Sequence, residues 1–463
     1  MTQNPTERTN FAYYNAVDQI YHAEWSTPKL ARLELLRASI QTLWPQGHPT
    51  RMIHVAGSAG KGSTCRFLEM GLSQFGNTGA YLGPHLFDYR ERFSINGEFV
   101  SKTDLVEAWE TRIKPHCVAL ALETPDNVHS FLETSILMAL ALFEKYQVRW
   151  AAMETGIGGR YDQTRALDVE ATLLTNVGSD HAQMLGSEQW QRTLDKAGIA
   201  RPDVPFFTSD TDPQNIEIMD SICEATGAPL YPIGSDLFHT LARRCNDEFD
   251  EPLSEQALLN ADYQQCNAAL AFAAITHLEP YANERAILQA FRSAQLLGRF
   301  WQMEEHVYVD VAHNAEKVEA LTQEIEQKFV DNQCILVIGL TRDRLAAKVF
   351  PALLKIAKAI IVTGASFKGR DPEQLRAEID ELGSDIPTLV IAEPKQALQV
   401  ARAMRLSDDV IILTGSTYMI EQVLNPDPYL SHLNSTFGWR AKSKTEATGT
   451  VKLSLPASPS VVR

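Results

Sequence analysis

Helical periodicity opens the chain: across residues 10–44, Leu30, Leu33, Leu35, Leu36, Ile40 and Leu43 form an apolar face. The pattern then changes. Apolar positions from Ile53 to Ala56 run into a glycine-rich turn, and an amphipathic run through Phe67, Leu68, Met70 and Leu72 follows it. This succession predicts strand, loop, helix. Thr78–Tyr81 predicts a short second strand, residues 102–114 and 130–147 predict helices, and Trp150–Glu154 and Ala171–Val177 predict buried strands. Strands and helices alternate onward to Asn260–Asn267, the polar start of an Ala-rich helix. Around Leu297-Gly298-Arg299-Phe300 the pattern resets. Strands are predicted over 307–311, 334–338, 358–363, 388–391 and 409–413, with helices over 315–329, 344–357, 372–382 and 394–405 between them. Strands alternating with helices predict a doubly wound parallel sheet, and the boundary between two domains falls at about Gly298.

A chain of 463 residues is too long for one ordinary core, which agrees with that division. The formal charge of −16 argues against a nucleic-acid or anionic-membrane partner, while leaving room for a local basic pocket that binds a nucleotide. The N-terminal residues lack the basic start and apolar core of a signal peptide, and the longest apolar stretch, Ser135–Phe143, is too short to span a membrane. Six cysteines are scattered without CxxC spacing, the pattern of buried reduced thiols in a cytoplasmic protein. The tail over residues 441–463 is polar and rich in small residues, and is expected to be disordered.

The candidate chemistry starts at Gly57-Ser58-Ala59-Gly60-Lys61-Gly62-Ser63-Thr64. Glycines let backbone N–H groups converge on an anion, the following helix adds its positive end, Lys61 would neutralise the outer phosphates, and Ser63 or Thr64 offers a hydroxyl to Mg²⁺. The spacing is tighter than the standard phosphate loop, which would need glycine at Val55. A bare strand-to-helix turn is the competing reading. The segment Gly83-Pro84-His85-Leu86-Phe87-Asp88-Tyr89-Arg90-Glu91-Arg92 is a long polar loop, either functional or a surface excursion into the Asn96-Gly97 turn. Glu154 ends a predicted parallel strand, where it would hold Mg²⁺ or stand solvated; Asp180-His181 ends another. Lys196 alone reads as an ordinary surface lysine, and Asn267 as a base-reading amide, a core amide or a helix cap.

In order, GSAGKGST, GPHL, METGIGGRYDQT, NVGSDH, DKAGI, LGRF, DVAHN and TGS resemble the motifs of the folylpolyglutamate synthase/dihydrofolate synthase family, within the Mur ligase superfamily, over roughly residues 50–425. The resemblance implies a P-loop-type ATPase domain like the Mur ligase central domain over residues 1–298, which binds ATP and acceptor, and a Rossmann-like glutamate ligase domain over 299–440. It implies an ATP-dependent amide ligase: an acceptor carboxylate takes the γ-phosphoryl group, L-glutamate attacks the acyl phosphate, and phosphate leaves. By the same resemblance Ser63, Glu154 and His181 would ligate Mg²⁺, and Lys196 would be carbamoylated and support a second Mg²⁺. Asn267, Arg299 and Asp310 would contact the nucleotide, His313 and Ser416 the glutamate, and His85 and Asp162 the folate-type acceptor. Lys61, Lys196, His313 and Asp310 would be the catalytic set, the partners small molecules only, and the protein a monomer.

The departures are specific. Gly83 stands where the family's T-S-P-H loop has serine, and the phosphate loop has lost an asparagine. Arg165 replaces the last asparagine of G-G-R-L-D-A-T-N, and Arg342-Asp343-Arg344 replaces D-K-D. Asp195 replaces a glutamate before the lysine, and Val311 and Ala315 alter D-G-A-H-N-P. They motivate two alternatives: a Mur-type ligase for another acid acceptor or amino acid, and a nucleotide-binding pseudoenzyme acting as a scaffold. Joint retention of Lys61, Glu154, His181, Lys196, Asp310 and His313 argues against the scaffold.

Overall fold

Fully buried strands gather at the centre of two sheets in the computed structural model, which describes residues 5–21, 29–123, 128–329, 334–383 and 385–436. The first sheet has eight strands: β1 (Arg51–Ala56), β2 (Thr78–Tyr81), β3 (Phe93–Ile95), β4 (Glu98–Phe99), β5 (Trp150–Glu154), β6 (Ala171–Leu174), β7 (Phe206–Thr208) and β8 (Leu230–Pro232), in the order β4-β3-β2-β5-β1-β6-β7-β8. All neighbours are parallel except β2–β3 and β3–β4. That antiparallel hairpin turns on Asn96 and Gly97, both with positive φ as a two-residue hairpin loop requires.

Side chains on β1 and β5 alternate between two apolar layers. Ile53, Val55, Trp150 and Ala152 pack under the helices Lys61–Gly71 and Gln265–Leu278, while Met52, Ala151 and Met153 face the helices Pro5–Tyr21, Lys29–Leu43 and Phe131–Lys145. Burial on both faces is why these strands read as continuous apolar runs.

The second sheet has six strands, one more than the pattern predicts: β9 (Trp301–Glu304), β10 (Val307–Val309), β11 (Cys334–Ile338), β12 (Ala357–Val362), β13 (Thr388–Val390) and β14 (Val410–Thr414). The order is β13-β12-β11-β14-β10-β9. The extra strand, β9, is antiparallel to β10 and half-exposed at the sheet edge, so it lacks the apolar run that betrays a central strand. Two other expectations are corrected. The helix expected over 344–357 is two short ones, Ala346–Val349 and Pro351–Leu354, because Pro351 has no N–H to continue the first. The strand expected to reach Val177 ends at Leu174, since Asn176 and Val177 leave the ladder: the Asn176 carbonyl accepts from the Ser58 N–H, and the Val177 N–H donates to Asp210. The expectation for residues 441–463 lies outside the described residues.

The chain closes on itself. The last described helix, Pro428–Thr436, returns to the first, where Tyr14 stacks on Tyr429 at 4.7 Å and donates from its hydroxyl to Asp427 at 2.7 Å. Among the described residues no helix is long and apolar enough to cross a membrane.

Behind the first sheet, Arg32 and Glu133 form an ion pair with side chains 2% and 0% exposed, and Arg32 Nε donates to Glu133 Oε1 at 2.7 Å. Arg32→Met strands the carboxylate and is expected to cost about 3–5 kcal/mol. Adding Glu133→Leu removes the stranded charge and recovers most of that loss; urea unfolding of the two variants measures both effects.

Candidate active site

The site begins where β1 ends. Gly57 (φ 148°) and Gly60 (φ 81°) take conformations that favour glycine, and a Cβ would meet Thr175 Oγ1 at 1.8 Å in the first case and Asn267 Oδ1 at 2.1 Å in the second. The helix Lys61–Gly71 starts on Gly60 with no side-chain cap, so its first N–H groups stay available to an anion. Asn176 pins the loop, its carbonyl and side-chain oxygens accepting from the N–H of Ser58 and Ala59, each at 3.0 Å. Ser58 Oγ accepts from the Gly178 N–H at 2.8 Å. Thr64 Oγ1 donates to Asn267 Oδ1 at 3.5 Å, and Asn267 Nδ2 donates to Gln264 Oε1 at 2.8 Å. Gln264 caps the helix, so Asn267 is a buried amide against the loop and not the cap.

Two ammonium groups converge on one oxygen. Lys61 Nζ and Lys196 Nζ each donate to the Gly57 carbonyl at 3.1 Å. Lys196 is 1% exposed, and burial, with Lys61 beside it, pushes its pKa down to about 7. The surface reading of Lys196 is thereby overturned. Lys61 Nζ also stands 4.0 Å from Glu154 Oε1, whose carboxyl burial raises above its usual range while Lys61 pulls the other way.

Two loops that the sequence separates hold Lys196. The Asp162 carboxylate accepts from the N–H groups of Gly156, Ile157 and Thr164, each at 3.0 Å, and so folds the turn after β5. That turn grips the end of the helix Gln189–Ala197: Gly159 N–H donates to Asp195 Oδ1 at 2.9 Å, and Arg160 N–H to the Asp195 carbonyl at 2.8 Å. Arg165 Nε donates to the Gly198 carbonyl at 3.0 Å and Nη2 to that of Ala200 at 3.3 Å, satisfying carbonyls at and beyond the helix end.

The Gly83–Arg92 segment is no surface excursion. Leu86, Tyr89, Glu91 and Arg92 are buried, and Glu91 gathers the N–H groups of Leu86, Phe87 and Asp88. Gly83 reaches Glu154 through its backbone, N–H to Oε2 at 2.9 Å. A Cβ there would stand 2.9 Å from Arg92 Nη1, so the guanidinium fills the space a side chain would need. His85 Nδ1 accepts from Arg92 Nε at 2.9 Å, so its Nε2–H donates to the Tyr21 oxygen at 2.8 Å, and Tyr21 donates to Asn434 Oδ1 at 3.0 Å. Burial and Arg92 bring the His85 pKa down to about 3, which fixes it neutral.

From the second sheet, Asp310 accepts from the N–H groups of Phe300 and Ala312, each at 2.8 Å, and from the Tyr263 hydroxyl at 3.2 Å. Burial raises its pKa, and Arg299 opposes that. His313 Nδ1 donates to the Val311 carbonyl at 2.7 Å. Its Nε2 lies 3.2 Å from Lys317 Nζ and 4.0 Å from Asp180. Ser416 caps the helix Thr417–Leu424, accepting from the Met419 N–H at 3.4 Å. His181 Nε2 is 3.7 Å from Asp180, and burial keeps its imidazole below the usual range, in the neutral form that binds metals. The sequence reading quoted Asn176, Asp180, Tyr263 and Arg344 without giving any of them a role, and did not single out Lys317; the signal for Asp180 was its place beside His181 at a strand end.

The donors fit a hard cation. Ser63 Oγ is buried with no hydrogen-bond partner among the described residues, and Glu154 supplies oxygen nearby at the phosphate loop. Among the described residues no group of three or more His, Cys, Asp or Glu could hold a metal unaided. One hydroxyl and one carboxylate are the kind of set Mg²⁺ takes, completing its shell with phosphate oxygens and water.

Residues 298–417 match the Mur ligase glutamate ligase domain. A dihydrofolate synthase/folylpolyglutamate synthase of Bacillus subtilis is 28% identical over 415 residues, spanning 86% of this chain and 94% of its own. The fold superposes on Escherichia coli FolC in complex with DHPP and ADP, with a TM-score of 0.71, 25% identity and coverage of 87% and 92% of the two chains. The Yersinia pestis bifunctional folylpolyglutamate synthase/dihydrofolate synthase complexed with AMPPNP and Mn ion shares the fold, with a TM-score of 0.72, 24% identity and coverage of 87% and 94%. With the motifs in order along the chain, residues 298–417 carry the Mur ligase glutamate ligase domain, and over most of its length the chain is similar to folylpolyglutamate synthase/dihydrofolate synthase enzymes.

Proposed function

We propose that this protein is an ATP-dependent ligase that activates an acceptor carboxylate as an acyl phosphate and couples it to L-glutamate, the acceptor being a folate-type acid. The observation that carries the reading is the shared Gly57 carbonyl: it holds two lysines beside an uncapped helix start, with Glu154 and the unpartnered Ser63 hydroxyl adjoining. In the first step the acceptor carboxylate attacks the γ-phosphorus and ADP leaves. In the second the glutamate amine attacks the acyl carbon, phosphate leaves, and the nitrogen gives up a proton. Such transfers depend on positioning and charge neutralisation, which Lys61 and the N–H groups at the helix start provide.

Ser63, Glu154 and His181 would hold Mg²⁺, which supplies charge neutralisation at the phosphates. Burial holds Lys196 near neutrality in the physiological range, and a neutral amine can take up CO₂: a nitrogen–carbon bond forms, a proton is released, and an anionic carbamate results. Asn267, Arg299 and Asp310 serve the nucleotide, and His313 and Ser416 the glutamate. Asp162 and His85 act on the acceptor side through the loops they organise. Residues 1–298 thus handle ATP and acceptor and 299–440 the amino acid. We assign the protein to the cytoplasm as a monomer, in keeping with six unbridged cysteines. Filling of the loop-serine space by Arg92 favours, as the second reading, the same chemistry on a different acid acceptor.

Phosphate release from Mg-ATP, with L-glutamate and either dihydropteroate, a tetrahydrofolate or unrelated acids, tests the assignment. Release that needs a pterin acceptor and glutamate together is expected; release with another acid alone transfers the reading to that acceptor. Lys61→Ala is expected to lower turnover by about 10²–10³-fold or more with the fold intact by circular dichroism. Undiminished turnover would refute the phosphate-loop assignment.

Lys196→Ala should lose activity and regain part of it with short carboxylic acids. In the wild type, a carbon-13 carbamate signal from labelled CO₂ should strengthen as pH rises through about 7 at fixed dissolved CO₂, because only the unprotonated amine reacts. A signal flat across that window removes the carbamate.

A further inference from the structure

Asp180, on the turn after β6, meets three basic side chains of the second sheet's layer. Arg344 Nη2 donates to Oδ1 at 2.9 Å, Lys317 Nζ to Oδ2 at 3.4 Å, and His313 Nε2 stands 4.0 Å away. The adjoining turn is fastened too, with the Ser179 N–H donating to Glu316 Oε1 at 2.7 Å. Asp180 is 5% exposed, whereas Arg344, Lys317 and His313 keep 21%, 22% and 27%. The carboxylate is sunk while the basic side chains stay partly open to solvent.

Burial and Lys317 hold His313 neutral, which leaves an ammonium and a guanidinium sharing one carboxylate. Burial presses Lys317 down to about 8, with Lys61 and Arg299 adding to it and Asp180 opposing. A planar guanidinium pairs with carboxylates through two parallel N–H donors, and Arg344 gives Asp180 a single one. The cluster therefore has capacity for a further anion, and it includes His313, already assigned to the amino acid.

We propose that Arg344 and Lys317 recognise a carboxylate of the incoming amino acid, with Asp180 holding both cations in place until it arrives. This rests on the ligase reading above and makes the site selective for an acidic amino acid. Arg344 stands where the family's D-K-D turn has aspartate, so the recognition belongs to this chain's own residues.

The test compares wild type, Arg344→Gln, Arg344→Lys and Lys317→Gln in ATP-dependent turnover, with L-glutamate, L-glutamine and L-isoglutamine as amino acids. Arg344→Gln should raise the KM for L-glutamate about 10–100-fold while the KM for ATP stays within about threefold, and Arg344→Lys should restore part of the loss. Lys317→Gln should act in the same direction. Wild-type discrimination against glutamine identifies the side-chain carboxylate as the one bound, and discrimination against isoglutamine identifies the α-carboxylate; the variants should lose the discrimination concerned. A glutamate KM unchanged in both charge-removing variants, or KM values for ATP, acceptor and glutamate that rise together, overturns the proposal and leaves a clasp that only closes the cleft. A wild type without turnover on any amino acid overturns the ligase reading and this inference with it.

Discussion

One backbone oxygen, the carbonyl of Gly57, takes hydrogen bonds from two ammonium groups, and the arrangement of the site follows from that sharing. Like charges so close repel, and the repulsion is tolerable only if one lysine gives up much of its proton affinity or an anion sits between them. Burial assigns that part to Lys196, while Lys61 stands 4.0 Å from Glu154 Oε1. The glycine is equally constrained: its carbonyl faces the lysines in a conformation that puts its α-carbon against Thr175, where no side chain fits. Loop sequence, lysine chemistry and the adjoining strand end are thus one constraint.

Why the distant motifs travel together has a similar physical answer. The turn after β5 and the end of the helix bearing Lys196 are joined by the Gly159 and Arg160 N–H groups and by Arg165, so neither can move without the other. Gly83 and Glu154 meet through a backbone N–H, and Arg92 takes the room of a missing side chain. The departures from the family pattern at Gly83 and Arg165 therefore each have a local structural counterpart.

Much of the fold was legible because buried parallel strands are largely apolar runs: β5 and β11 fall on the residues that the pattern named. What escaped was governed by non-local contacts or by a single residue. Edge strand β9 is only half-buried, and Pro351 divides a helix that periodicity joined. Within the site, Lys61 and Glu154 announced themselves beside glycines and at a strand end. Lys196 showed no local sign, because its burial depends on a carbonyl 139 residues away in sequence. The roles of Asp180, Lys317 and Arg344 escaped for the same reason, since their meaning lies in an encounter between two sheets.

The hydrogen-bond chain from Arg92 through His85 and Tyr21 to Asn434 has a temporal side. Asn434 lies on the last described helix, yet it steadies the loop that touches Glu154 in the first sheet. Synthesis on the ribosome runs from the N-terminus, and domains fold as they emerge. The first sheet can therefore assemble its phosphate loop while this prop is still unmade. The chain can thus form its glycine loop before the segment carrying His85 gains its last support, which arrives only when the last described helix docks against Tyr21.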